Sequence, residues 1–141
     1  MTYFDVLAKA VLSTGSDAII AADRDGIIRF WNPGAERIFG YSSEAAVGAS
    51  LDIIIPERLR QRHWHGYNQV MNSGESRYGH GDILAVPSIR KDGAAISVEF
   101  TIMPLHDDTG ALIGLAAILR DVTKRFEEMR TLKRKLQERA G

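Results

Sequence analysis

His63 is the residue of this chain with the most chemistry to offer, because Leu59, Tyr67 and Val70 stand around it at helical spacing. A histidine on such a stripe can face the interior, where a neutral imidazole gives an electron pair to iron or hydrogen-bonds a bound molecule. The plainer reading is a partly buried histidine hydrogen-bonded to backbone. His65 lies two residues further on, and positions two apart do not share a helix face, so the pair is not expected to hold one metal ion. Trp64 and Tyr67 are expected to pack. His80, in Gly79-His80-Gly81, either gates a ligand or is solvated, and solvation is the expectation. That tripeptide has neither the lysine nor the strand-to-helix context of a phosphate loop. The absence of cysteine excludes disulfides, thiolate metal sites and cysteine nucleophiles. No Ser-His-acid set, nucleophile elbow or zinc helix is present, so the chain reads as non-enzymatic.

Three turn signals between β-type runs supply the scaffold for such a residue: Asp23-Arg24-Asp25-Gly26, Arg90-Lys91-Asp92-Gly93 and Asp107-Asp108-Thr109-Gly110. Glycine takes the positive φ of a tight turn and aspartate hydrogen-bonds its own backbone, which predicts three β-hairpins around one helical insert. Strands are expected over residues 18–22, 27–31, 83–89, 96–102 and 112–119. Pro87 confines the third to a sheet edge or a bulge. In the fourth, Ile96, Val98, Phe100 and Ile102 alternate with Ser97, Glu99 and Thr101, the pattern of one wet face. The fifth is the most continuously apolar, which predicts a central strand covered on both sides.

Helical periodicity fills the remainder. Phe4, Leu7, Ala8, Val11 and Leu12 define an amphipathic helix over residues 3–12, packed on the domain or on a second copy. Asn32 as N-cap and Pro33 in the first helical position open a short helix through Ala35, Ile38 and Phe39 to Gly40. Ser42 caps the next, through Ala46, and Pro56 opens the longer one that carries His63 and ends at Asn72-Ser73-Gly74. From Thr123 onward Phe126, Met129, Leu132 and Leu136 are spaced for an amphipathic helix that projects past the domain. Its heptad pattern spans only about two heptads and is interrupted by Lys133, so its coiled-coil part is weak.

Composition bounds the partners. A chain of 141 residues, 45% hydrophobic and 26% charged, buries one core. Eighteen Lys and Arg balance eighteen Asp and Glu, so no basic excess argues for nucleic acid or an anionic membrane. The Lys133-Arg134-Lys135 cluster is interspersed with Glu127, Glu128 and Glu138 and reads as a solvated helix face. No basic leader precedes an apolar run, and no run approaches the ~20 apolar residues of a membrane span. No membrane is expected, and the cytoplasm is the expected compartment.

The ordered set Asp25-Gly26, Trp31-Asn32, Ala35-Glu36-Arg37-Ile38-Phe39-Gly40-Tyr41, Gly48, Ile55-Pro56-Glu57-Arg58, Lys91-Asp92-Gly93 and Arg120-Asp121-Val122-Thr123 resembles the PAS sensor family. The resemblance implies an α+β fold: a five-stranded antiparallel sheet with helices on one face, a central pocket, and flanking N- and C-terminal amphipathic helices that often dimerise. It divides the chain into an N-terminal flank (1–15), a PAS domain (16–123) and a C-terminal signalling or dimerisation helix (124–141). Oxygen atoms of Asp121 and Thr123 can accept from the free N–H groups that begin the following helix, as a simple cap or as a coupling of strand to helix. The resemblance favours coupling, with Asp121 and Thr123 as the signal relay.

PAS domains take haem, flavin, organic acids or other small molecules, so the fold does not name the cofactor. Light-oxygen-voltage and photoactive-yellow-protein photosensors each need a cysteine, and its absence here disfavours covalent flavin-cysteine photochemistry while leaving non-covalent flavin open. The segment Pro56-Glu57-Arg58-Leu59-Arg60-Gln61-Arg62-His63 is similar to the helix that carries the proximal histidine of rhizobial oxygen-sensing haem PAS domains, at the same interval. That resemblance implies His63 as the axial ligand of haem b, in a candidate pocket with Tyr67, Leu84, Phe100 and Ile102. Phe100 and Ile102 match the distal-face aliphatics of that group. Leu84 stands where its distal arginine would be, and Phe100 is bulkier than the residue it replaces. The leading expectation is a bacterial-type sensory and signal-transduction module that binds a small molecule or cofactor and acts through a homodimer or a separate signalling protein. The alternatives are a haem-based gas or redox sensor using His63 and, in a different class, a ligand-free structural dimerisation domain.

Overall fold

A computed structural model of the chain describes residues 1–74 and 84–140, without the side chain of Leu84. The loop with Tyr78 and His80, and the first residue of the expected third strand, Ile83, lie outside the described residues. Five strands, β1 (Ala18–Asp23), β2 (Ile28–Trp31), β3 (Leu84–Ile89), β4 (Ala95–His106) and β5 (Leu112–Asp121), form one antiparallel sheet in the order β2-β1-β5-β4-β3. All three hairpins form where the turn residues predict them. Gly26, Gly93 and Gly110 sit at φ of 76°, 86° and 86°, and their N–H groups donate to the carbonyls of Asp23, Arg90 and Asp107.

Helix α1 (Tyr3–Leu12) precedes the sheet and α5 (Thr123–Ala140) follows it. Between β2 and β3 lie α2 (Pro33–Phe39), α3 (Ser43–Ala46), two 3₁₀ turns (Leu51–Ile54 and Glu57–Leu59) and α4 (Arg60–Ser73). Asn32 and Ser42 cap α2 and α3 as their side chains predict, accepting from the N–H of Ala35 and Ala45. The start of α4 differs from the expectation. The chain after Pro56 makes a 3₁₀ turn and becomes α-helical only at Arg60, because no side chain caps this entrance and Arg60 Nε turns back to the Ile55 carbonyl at 3.1 Å.

The main core lies between the sheet and the helical insert. Ala18, Ile20, Ile28, Trp31, Ala35, Ile38, Phe39, Ala46, Ile54, Ile96, Val98 and Leu119 are its buried members. The alternation expected in the fourth strand holds at its start, with Ile96 and Val98 buried and Ser97 and Glu99 half-buried, and fades from Phe100 to Ile102, which are all half-buried; β4 runs on to His106 because β5 continues the ladder beside it. β3 is an edge strand, the place that Pro87 requires. β5 is central, between β1 and β4, but it is not covered on both sides: Ile113 is exposed and Ala116 and Ile118 are only half-buried. Gly114 answers a different need: a Cβ there would lie 2.0 Å from the Ala22 carbonyl oxygen, so the close approach of β1 requires a residue without a side chain at this position.

Candidate functional site

Three side chains fasten the site helix α4 to the rest of the molecule. The Trp64 indole lies over Gly26, where an added Cβ would come within 2.1 Å of the ring, and its Nε1–H donates to Asp52 Oδ1 at 2.7 Å. The Tyr67 hydroxyl donates to the backbone carbonyl of Asp23. Arg24 reaches from the turn between β1 and β2 to the carbonyls of Leu112 at 2.8 Å and Met71 at 3.0 Å. Burial, reinforced by the charges of Asp23 and Asp25, pushes the Tyr67 phenol up to about 12, so at neutral pH it stays protonated and keeps donating. Burial pushes the Asp23 carboxyl up, but hydrogen bonds from the Ile27 N–H, from Arg29 and from the Asp25 N–H outweigh it and hold the group below its ordinary value.

His63 sits against this anchor. Its ring centroid is 4.7 Å from that of Trp64, nearly edge-on at 75°, and 5.9 Å from that of Tyr67. Burial lowers its pKa from the usual 6.5, and the nearby Asp52 charge only partly offsets this, so the ring is neutral at pH 7. Its Nδ1 is buried without a hydrogen-bond partner among the described residues. An unpaired buried polar atom costs about 1–3 kcal/mol, and native interiors rarely leave one without a reason. Among the described residues this is the one buried side-chain nitrogen or oxygen with unused hydrogen-bonding or metal-donor capacity.

The structure brings together some of the expected pocket residues and separates others. Tyr67 belongs with Val70, Met71 and Leu115 to a second buried cluster, against which Trp64, Leu51 and Leu112 pack. Phe100 packs instead against the main core, and Leu51 touches both clusters. Ile102 is half-buried on β4, opposite Ala117 of β5, and Leu84 is the register partner of Phe100 at the sheet edge. His65 is exposed, and His80 lies outside the described residues. Among the described residues no group of three or more His, Asp or Glu side chains could hold a metal ion. Sequence reasoning missed the residues that hold the site in place. Asp52, Asp23 and Arg24 act through atoms brought close only by folding, and Gly26 was read for its turn while its missing side chain also admits Trp64.

At the other end of the domain, Asp121 Oδ1 accepts from the Thr123 N–H at 2.9 Å and from its hydroxyl at 2.5 Å. Thr123 Oγ1 in turn accepts from the Ser97 N–H at 2.9 Å, and the Val122 N–H donates to the Ser97 carbonyl at 2.9 Å. The first turn of α5 is thus bonded into β4 as well as continued from β5. A surface groove of about 730 Å³ runs beside this junction, with Asp17, Arg37, Arg120 and Lys124 among its walls.

Comparison with known proteins agrees with this architecture. A model of the PAS fold matches residues 12–127. Over 117 residues the chain is 30% identical to the sensor protein FixL of Bradyrhizobium diazoefficiens, covering 82% of this chain and 22% of that protein. Over 141 residues it is 32% identical to the cell-division control histidine kinase PdhS of Brucella ovis, covering 94% of this chain and 13% of the kinase. The chain therefore spans less than a quarter of the length of either curated relative. The crystal structure of the PAS domain of a protein from Colwellia psychrerythraea is similar with a TM-score of 0.74 at 25% identity, over 87% of this chain and 99% of that one. An RNA-binding light-oxygen-voltage receptor shares the fold, with a TM-score of 0.73 at 22% identity, over 96% of this chain and 37% of the receptor. With its sheet order, its helical insert and its sequence in agreement, the chain belongs to the PAS family.

Proposed function

We propose that the chain is a non-enzymatic sensory and signal-transduction module that holds a small molecule in its interior beside His63 and passes the bound state to α5 through Asp121 and Thr123. The buried, unpartnered Nδ1 of His63 carries this reading, since a ligand that hydrogen-bonds it removes a standing cost in the unliganded interior. In this reading the ligand would lie between Tyr67 and Trp64 of α4 and the strand positions Leu84, Phe100 and Ile102, and would have to open the packing of Phe100 on the main core. Ligand entry shifts the sheet, and Ser97, bonded to Thr123, carries the shift into α5. The working unit is residues 16–123, with 1–15 and 124–141 as flanks. Exposed apolar side chains on both flanks, Phe4, Leu7 and Val11 on α1 and Phe126, Met129 and Leu136 on α5, suit a homodimer or a separate signalling partner. No helix among the described residues is long and apolar enough to cross a membrane, and the cytoplasm is the proposed compartment.

A second reading, haem bound through His63, is favoured by the same imidazole. Burial keeps it neutral, the form that donates to iron, and its interval from Pro56 matches the haem-PAS helix. When bound, haem supplies diatomic-gas binding and one-electron redox chemistry. His63 would be the iron ligand, with Tyr67, Leu84, Phe100 and Ile102 around the macrocycle. The experiment is an absorption spectrum of the purified chain, as isolated and during titration with haemin, together with native mass spectrometry, for the wild type and His63→Ala. A Soret band that requires His63 makes the module a haem sensor. A co-purified mass that His63→Ala releases, without a Soret band, supports another small ligand. Neither signal overturns both readings and leaves a ligand-free dimerisation domain.

A further inference from the structure

The segment between α1 and β1 is held without slack. The Thr14 carbonyl accepts from Asn32 Nδ2 at 3.1 Å and from the Gly34 N–H at 3.0 Å, and the Asp17 carbonyl accepts from Asn32 Nδ2 at 3.0 Å. Arg37 donates to the carbonyls of Gly15 and Ser16, each at 2.7 Å. Gly34 admits this contact only because it lacks a side chain, as a Cβ there would lie 1.9 Å from the Asp17 carbonyl oxygen. The chain that leaves α1 is therefore pinned along the start of α2, which ties α1 to the position of Asp17.

From that pinned segment a row of charges leads to α5. The Asp17 carboxylate accepts from Arg120 Nε at 3.2 Å and from its terminal nitrogen at 3.3 Å, a two-pronged contact that orients the guanidinium. Arg120 stands directly across the β4–β5 ladder from Glu99, and Glu99 Oε1 accepts from Arg125 at 2.5 Å. Negative, positive, negative and positive side chains thus follow one another from the α1 linker, over β5 and β4, to the first turn of α5. The row keeps to the sheet face turned away from Ile96, Val98 and Leu119 of the core, so it bypasses His63.

We infer that the row Asp17, Arg120, Glu99 and Arg125 couples α1 to α5 directly across the outer face of the sheet, as a route independent of the interior site. An exposed pair by itself adds little, and both arginine side chains here are about two-thirds exposed, at 66% and 67%. The two pairs meet where Arg120 stands across the ladder from Glu99 and feels its charge, which adds to what either pair does alone, and the carboxylates, at 28% and 27%, are the shielded members. This inference rests on the reading of α5 as the output helix, and adds that α1 is an input to it.

The test is hydrogen–deuterium exchange of the full chain, without added ligand, in a peptide that covers residues 122–130. Asp17→Asn and Glu99→Gln should each raise exchange there by about two- to fivefold, the range that loss of an exposed pair allows. The double variant should exchange no faster than the faster single variant, because the row is already broken. In 1 M salt the wild type should come close to the variants. Asp92→Asn, which opens the separate pair with Arg90, should leave the peptide unchanged. Unchanged exchange in Asp17→Asn, or multiplying effects in the double variant, overturns the inference. His63→Ala, measured alongside, should leave this peptide's response to Asp17→Asn intact, so failure of the row and failure of the interior site are read separately.

Discussion

The two buried clusters are built to different standards. In the main core the two buried polar side chains are both satisfied. Asn32 accepts from the N–H groups of Ile19 and Ala35 and donates to the carbonyls of Thr14 and Asp17, and Ser88 donates to the Ile54 carbonyl. Beside the second cluster, around α4, His63 Nδ1 is buried and unpaired among the described residues, and the helix is held by its own Trp64 and Tyr67 and by Arg24. Both polar side chains of the main core are used for folding. The region around α4 retains a buried polar atom with no partner among the described residues, and the proposed ligand site rests on that difference.

Asn32→Ala attacks the satisfied side of this contrast and should have the largest effect. It unpairs two buried N–H groups and releases the α1 linker, so we expect a loss of about 3–5 kcal/mol in chemical denaturation. A loss under about 1 kcal/mol would mean that the main core does not depend on its polar bonds and would erase the distinction between the clusters. Gly26→Ala forces a side chain into the Trp64 ring at a residue with φ of 76°, and should cost about 2–4 kcal/mol with a red-shifted tryptophan emission as α4 lifts. An unshifted spectrum would show that α4 is held by its hydrogen bonds alone.

Smaller changes sharpen the comparison. Tyr67→Phe removes the bond to the Asp23 carbonyl while keeping the ring, and should cost about 1 kcal/mol. His63→Leu should be the outlier among buried-site variants, with stability at pH 7 unchanged or slightly raised, because it removes an unpaired group rather than a bond. Its pH dependence carries the sign. Folded His63 titrates below its unfolded value of 6.5, so its neutral form contributes stability above that pH, and the contribution is lost as pH falls through the folded value. Wild type should therefore weaken on acidification below pH 6.5 more steeply than His63→Leu, and parallel curves would place the imidazole in water.

Sequence reasoning reached the elements whose causes are local. The three Asp- and Gly-bearing turns, the Asn32 and Ser42 caps, the edge position of Pro87 and the glycine stops at Gly40 and Gly74 all depend on residues within a few positions of one another. The entrance to α4 was misplaced because it is decided by Arg60 reaching back to the Ile55 and Asp52 carbonyls, a contact that no local propensity encodes. The apolar run of β5 was misread as two-sided burial, since a small residue required by close strand approach and an apolar residue required by burial look alike in sequence.

What the sequence by itself determined was the order of strands and helices, the hairpin turns, and the stripe that puts His63 and Tyr67 on one side of a helix, because each follows from backbone stereochemistry and short-range periodicity. Only the tertiary structure decided that Trp64 closes on Gly26, that Tyr67 reaches Asp23, that His63 Nδ1 finds no partner among the described residues, and that Asp17 meets Arg120. Those are meetings of residues 38, 44 and 103 positions apart for Trp64, Tyr67 and Asp17, and one missed meeting. Their geometry is set by how the whole sheet and its helical insert pack, and no local rule carries that information.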